Sequence, residues 1–414
     1  MTQSRKNQFV LILILGLLSA IGPFSIDMYL PGFPAIAADL GTSVARVMLS
    51  LSSFFVGISA GQFLYGPLLD RFGRKKPMYF GLSLYLVSSA ACVFVRNVDM
   101  LIGLRFFQAL GACAGLVASR AMVRDLFDVS QNAKIFSLLM LVVGVSPIIA
   151  PTLGGYITAA WSWKYIFVVL TGIAALILTA IHFYLPESRK PNPDLSLKPG
   201  PIIRGFWGVM LHPQFYTYAL TGAIASAGLY AYIAGSPYVF MELFKVSERT
   251  YGWIFAVIAL GLIGSSQINS LLLRKYTSEA IVRAALICQS FTAVLLVGGS
   301  MAGWLGLYGT ISLIFLYLCC QGFTFPNASA LSLGPFSSNA GTASALMGGI
   351  QMSIGALTSA SVSWLNDHTA IPMAGVMACC AITALSIRLS GGEVIRRKAL
   401  KATVIAQEVE MVKS

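Results

Sequence analysis

Two opposite charges set in apolar sequence carry most of the chemistry available to this chain. Asp27 stands in Ile-Asp-Met-Tyr-Leu-Pro, near the end of a hydrophobic run closing at Pro31. Arg105 stands in a run that opens near Asp99 and travels the other way. At the rise of a helix, both lie roughly 6 to 9 Å below the same end. Charge in hydrocarbon is costly and by default marks an ion or substrate pathway, and each group is less costly when paired with the other. A carboxyl balanced between burial, which favours its neutral form, and a movable guanidinium, which favours its ionised form, can take up and release a proton. The same pair held rigid would only staple two helices. Gln108 shares the helix face of Arg105.

A second charged motif runs Gly66-Pro-Leu-Leu-Asp70-Arg71-Phe-Gly73-Arg74-Lys75-Lys76. Its cations read as a positive stop signal in a tight turn, which leaves Asp70 and the glycines unexplained. Asp70 can pair with Arg120 or Arg124, or sit against the positive end of a helix starting near Gly341. Either arrangement would latch one side closed. A third stretch, Gly144-Val-Ser-Pro147 followed by Ala150-Pro151-Thr-Leu-Gly154-Gly155, predicts a bent, tightly packed helix. Gly57/Gly61 and Gly111/Gly115 read as packing faces.

Familiar chemistry is absent from the chain. It has no Gly-Lys pair, hence no phosphate loop, and His182, His212 and His368 are too scattered for a metal-protease motif. No Gly-x-Ser-x-Gly elbow occurs. The reading is therefore not an enzyme, with no metal, no bound cofactor and no nucleic-acid partner.

The elements that must hold these residues follow from composition. Of 414 residues, 57% are hydrophobic and 10% charged, against about 25% charged in a soluble domain. That excludes a soluble enzyme, a disordered chain and a secreted disulfide scaffold; the seven cysteines fall in apolar runs without a pairing pattern. Twelve runs approach the roughly 20 apolar residues a bilayer needs: 9–31, 44–68, 77–95, 100–122, 133–158, 163–185, 214–234, 251–272, 280–300, 305–327, 341–364 and 371–389. The first reads as a retained span because no small-residue cleavage site follows it.

An even number of spans puts both termini on one side. Arg5 and Lys6, Arg71, Arg74, Lys75 and Lys76, Arg124 and Lys134, Arg189, Lys190, Lys198 and Arg204, Arg274, Lys275 and Arg283, and the tail's Arg388, Arg396, Arg397, Lys398, Lys401 and Lys413 cluster there, against Arg46, Arg96, Lys164, Lys245 and Arg249 opposite. That side is cytoplasmic, and the net charge of +13 is topological. The segment 328–340 breaks the trend by having no Lys or Arg. The fold expected is all-α and polytopic: a six-helix bundle over 1–185, a Pro-rich linker over 186–213, a second bundle over 214–389, and a tail over 390–414 that is either solvated or a short basic helix. Such duplicated halves hold a substrate cavity near the midplane.

At this point the residues resemble a family. Gly66, Leu68, Asp70, Arg71, Gly73, Arg74 and Lys75 resemble the loop signature of the major facilitator superfamily, and Arg105, Gln108 and Gly111 its fourth-helix signature. Gly144, Pro147, Pro151, Gly154 and Gly155 are similar to the antiporter signature of proton-driven drug exporters, with Ala150 in a place where glycine is usual. Asp27 to Pro31, Gly235-Ser-Pro-Tyr238, Phe325-Pro-Asn327 and Gly341 to Leu346 with Gln351 resemble the Bcr/CflA group of bacterial multidrug exporters.

The resemblance implies proton-driven export of small amphipathic drugs across the bacterial inner membrane by a monomer, energised by the proton gradient alone. It assigns proton uptake to Asp27 and its modulation to Arg105. It also implies a cytoplasmic gate of Gly66, Asp70, Arg71, Gly73, Arg74, Arg120 and Arg124. The cavity is expected to draw on Tyr29, Gln108, Tyr230, Tyr232, Phe323 and Gln351, aromatic and amide interruptions of apolar spans. A transporter of a small metabolite (amino acid, sugar or peptide) on the same fold is the alternative; a non-transporting receptor fits poorly with Asp27 and the Pro/Gly helix.

Overall fold

Residues 5–127, 129–193, 199–336 and 340–413 are described by a computed structural model, without the side chains of 5–7, 129–134, 136, 137, 199, 202 and 398–413. Among the basic residues used above for sidedness, Lys198 and the side chains of Arg5, Lys6, Lys134, Lys398, Lys401 and Lys413 lie outside the described residues, as do positions 337–339 of the uncharged segment.

Every regular element among the described residues is helical. The order is α1 (Arg5–Asp27), α2 (Phe33–Asp39), α3 (Val44–Phe72), α4 (Lys75–Cys92), α5 (Val98–Leu126), α6 (Val129–Ala160), α7 (Lys164–Tyr184), α8 (Pro199–Met210), α9 (Pro213–Pro237), α10 (Glu248–Leu272), α11 (Ser278–Met301), α12 (Leu307–Leu333), α13 (Ala340–Trp364) and α14 (Ile371–Lys413). Among the described residues, ten segments are long and apolar enough to cross a membrane. The helices α4 and α9 complete a set of twelve long helices; their tyrosines, serines and glycines lower their hydropathy and are largely turned inward.

Local chemistry sets the helix starts. Ser43, Asn97, Ser247 and Thr277 each accept a hydrogen bond from the backbone N–H three residues on, capping α3, α5, α10 and α11. Asp99, Glu248 and Glu279 add an acid to the first turn of the last three. The first run does not reach Pro31 as one helix. α1 stops at Asp27, and a short 3-10 turn over Leu30–Gly32 leads into the largely buried α2. That early stop frees the last carbonyls of α1, which matters below.

Two expectations need correction. The linker holds a helix, α8, because Pro199 and Pro201 sit in its first turn, where proline is tolerated. Its Val209 packs inward, Phe206 meets Phe63 edge-on at 5.5 Å, and Ile203 and Trp207 stay exposed. The tail does not separate from the last span, since α14 runs unbroken to Lys413 through a stretch rich in helix-favouring Ala, Lys, Arg and Glu.

Two helix pairs carry most contact between the first half (α1–α7) and the second (α9–α14): α3 with α13, and α6 with α10. Along α3, Ala45, Ser52 and Ser59 recur every seven residues, so they form one stripe. Ser363 donates to the Ala45 carbonyl, Ser52 and Ser359 hydroxyls meet at 2.8 Å, Ser59 and Ser353 at 2.7 Å, and Ser59 also donates to the Gly349 carbonyl at 3.1 Å. Toward the end of the molecule remote from the termini, glycines let backbones touch. A Cβ on Gly154 would strike the Met28 carbonyl, and one on Gly155 the Glu248 carbonyl. A Cβ on Gly252 would lie 2.8 Å from the Thr152 Cα. At the other, basic end, the helices leave a cavity between them.

Candidate functional site

Arg105 is wholly buried, and it is not paired with Asp27. One guanidinium nitrogen donates to Gln108 Oε1 at 2.6 Å, and another to the Ser25 carbonyl at 3.0 Å. That carbonyl is one of those freed where α1 ends. The cation thus sits against the negative end of a helix dipole. Its carbon lies 4.2 Å from the Phe54 ring centre, 4.5 Å from Tyr29 and 5.9 Å from Phe167. Each such ring contact stabilises a desolvated cation by about 1–2 kcal/mol. Gln108 passes the network on to Ser89 at 2.7 Å, Ser25 and Tyr85 hydroxyls meet at 2.7 Å, and Tyr29 and Ser50 at 2.9 Å. Arg105, Gln108 and Tyr29 therefore form one polar nest inside the first half.

Asp27 faces elsewhere. It is 4% exposed and makes no ion pair among the described residues. Successive helical positions turn by about 100°, so the Asp27 side chain points nearly opposite to that of Ser25. It turns away from the nest toward the junction of the halves. The Ser146 hydroxyl of α6 faces its carboxyl, and the phenols of Tyr232 (α9) and Tyr251 (α10) are in electrostatic range. The Tyr251 hydroxyl meets Ser236 at 2.8 Å, and the buried Tyr232 hydroxyl lies close to the same serine. The predicted Asp27–Arg105 pair is thus replaced by two separate sites sharing the last turn of α1.

The loop after α3 staples helix ends of the first half. Buried Arg74 donates to Asp125 at 2.7 Å and Asp70 at 2.9 Å, and Arg189 reaches Asp70 at 3.0 Å. Burial is the largest single influence on Arg74 and disfavours its charge; hydrogen bonds and charge from Asp125 and Asp70 together outweigh it and hold the group above its ordinary value. Glu187 accepts the backbone N–H of Arg74 at 2.7 Å and of Lys75 at 3.1 Å, satisfying donors at the start of α4. The Arg71 carbonyl accepts from the Asn192 N–H at 3.0 Å. Gly73 makes the turn at φ +83°, a region costly for other residues.

Asp70 pairs with neither Arg120 nor Arg124, because Arg74, one turn along its own chain, and Arg189 reach it first. Asp125, Glu187 and Arg189 complete this cluster from outside the 66–76 motif. Asp125 directly follows Arg124 at a helix end, a placement that could have flagged it; Glu187 and Arg189 gave no local sign.

A cavity of about 250 Å³ opens between the diverging ends, lined by Gln62, Gly66, Asp70, Arg120, Arg124 and Ser344 among others. None of the six expected cavity residues lines it. Tyr29 and Gln108 are consumed by the Arg105 nest. Tyr230 packs on Phe55 at 4.8 Å across the halves, Tyr232 stacks on Phe255 at 5.5 Å, and Phe323 and Gln351 are half-buried away from it. In the proline-bearing helix, Gly154 and Gly155 make backbone contacts, whereas Gly144 has only Ile263 at 4.0 Å. Pro147 directly follows Ser146, and Pro151 directly follows Ala150 one turn further on. Phe54, Phe167 and Tyr251 lacked any local signal, being ordinary aromatic residues of apolar runs.

Comparison with known proteins agrees with this architecture. Residues 15–360 match the family model described as Major Facilitator Superfamily. The chain is 34% identical over 380 residues to the uncharacterized MFS-type transporter YdgK of Bacillus subtilis, covering 91% of this chain and 94% of that one. It is 30% identical over 378 residues to the bicyclomycin resistance protein homolog of Haemophilus influenzae, covering 91% and 95%. Among solved structures, a bacterial homolog of the human lysosomal transporter Spinster, inward-facing and occupied, superposes with a TM-score of 0.72 at 12% identity over 94% of this chain and 98% of that one. That likeness concerns the fold alone. With its multi-pass helices and a family match over residues 15–360, the chain belongs to the major facilitator superfamily of membrane transporters.

Proposed function

We propose that the protein exports small amphipathic compounds in exchange for protons, by alternating access, from the bacterial inner membrane with both termini in the cytoplasm. The observation that carries this reading is the Asp27 carboxyl, buried without a cation at the junction of the halves. An unpaired acid in such a place is most stable when protonated and must be wetted to ionise. Opening the α6–α10 contact would expose Asp27 to the outer face, where it takes up a proton; closing it and opening the opposite end would let the proton leave inward while the next compound enters. Arg105 acts on this cycle through the last turn of α1, whose Ser25 carbonyl it holds. Resistance to bicyclomycin in the name of a relative supports a drug-like cargo, and the glycines of α6 support a seam that closes tightly.

The test is Asp27→Asn reconstituted in proteoliposomes beside the native chain. Efflux driven by a pH gradient should vanish in the variant although its insertion and melting behaviour stay native. Gradient-driven efflux at the native rate would refute the proposal.

A further inference from the structure

Arg120 and Arg124 of α5 both line the cavity at the basic end, and neither makes a hydrogen bond or ion pair among the described residues. The other charges there are already matched. Asp70 is held by Arg74 and Arg189, and Arg74 by Asp125. The two free guanidinium groups stand four residues apart, hence on one face, where like charges repel. Arg120 also lies roughly 9 Å inside the end of its helix, where an uncompensated cation is costly.

Across the cavity, Gln62 offers an amide and Ser344 a hydroxyl, and Gly341 places the first turn of α13, with its positive dipole, on the same space. Leu69, Val117 and Ala345 supply an apolar wall. A Cβ built on Gly66 or Gly341 would meet nothing within 4 Å among the described residues, so neither lining glycine is closed over by packing. The volume of about 250 Å³ is near the lower end of ligand pockets, about 300 Å³, and suits a compound of one ring.

We infer that this cavity is an anion site: Arg120 and Arg124 take the carboxylate or phosphate of a small amphipathic organic acid whose apolar body lies on Leu69 and Val117. The inference deepens the exporter reading and rests on it where it makes the acid a transported compound.

Binding is measured by calorimetry on the purified full-length protein in an uncharged detergent. Benzoate is the probe, with benzyl alcohol and benzylamine as its neutral and cationic counterparts. Benzoate alone should bind, and Arg120→Gln and Arg124→Gln should each weaken it roughly tenfold or more, while Arg120→Lys restores part. Unchanged benzoate affinity in the glutamine variants, or equal binding of the three probes, would overturn the site. Nanodiscs with and without phosphatidylglycerol separate the sources of the anion. Retention of that lipid by the native chain and not by Arg120→Gln, with no benzoate binding in either, overturns the substrate assignment and gives the arginines to a headgroup phosphate.

Transport separates the two proposals. Arg120-dependent benzoate binding without proton-driven movement of any compound would refute the exporter and keep the site. Proton-driven efflux of a cationic compound with no benzoate binding would refute the site and keep the exporter.

Discussion

At the scale of single residues, the geometry of Arg105 makes a conservative change severe. Its flat guanidinium lies between the Phe54 and Tyr29 rings while reaching both Gln108 and the Ser25 carbonyl. Lysine keeps the charge but cannot satisfy two acceptors in that plane. Arg105→Lys should lower the initial efflux rate roughly tenfold or more at a near-native protein level in membranes, read by transport against quantitative blotting. The Arg74–Asp125 pair answers to stability instead. Removing one member of a fully buried pair costs about 3–5 kcal/mol. The Asp125 side chain is 19% exposed, so Asp125→Ala should cost less, on the order of 2–3 kcal/mol, seen as a lower melting temperature in detergent. Gly73→Ala adds a positive-φ penalty of about 1 kcal/mol and crowds Glu187, with the same readout.

At the scale of helices, the seam between α6 and α10 depends on the absence of side chains. A methyl group on Gly155 meets the Glu248 carbonyl with no room to move, because backbone lies on both sides. Gly155→Val should therefore disfavour the arrangement in which this end is closed. Ser146→Cys should react faster with a membrane-impermeant maleimide in that background than alone; equal rates would show that the seam does not govern access to Asp27. The serine seam of α3 and α13 is chemically different. Its hydroxyls exchange partners with water or with their own helix at little net cost, since a neutral hydrogen bond contributes only about 1 kcal/mol. Such a contact can hold the halves in register and still release them.

At the scale of the molecule, two rigid halves joined by reversible seams are what alternating access requires. Ser59 and Ser353, whose hydroxyls are 2.7 Å apart, offer a direct check. Oxidising Ser59→Cys with Ser353→Cys should stop transport, and reduction should restore it. Continued transport by the cross-linked chain would mean that α3 and α13 need not separate. The same view relates the buried acid to the basic cavity: one lies behind the glycine seam and the other opens at the far end, so the rocking motion proposed above would address both.

What the linear chain determined alone was depth and class. Hydrophobic runs are local, so the positions of the long helices, the buried placement of Asp27 and Arg105, and the charged loop at 66–76 were all legible, as was membership in a transporter fold. What only the tertiary structure decided was azimuth and partnership. Each residue turns a helix by about 100°, and neighbouring apolar faces look alike in sequence. Thus nothing local said that Asp27 faces the second half while Ser25, two positions earlier, faces Arg105, or that Asp70 is taken by Arg74 while Arg120 and Arg124 line a cavity. The cavity itself is a space between helices far apart in the chain, and it exists only once they are packed.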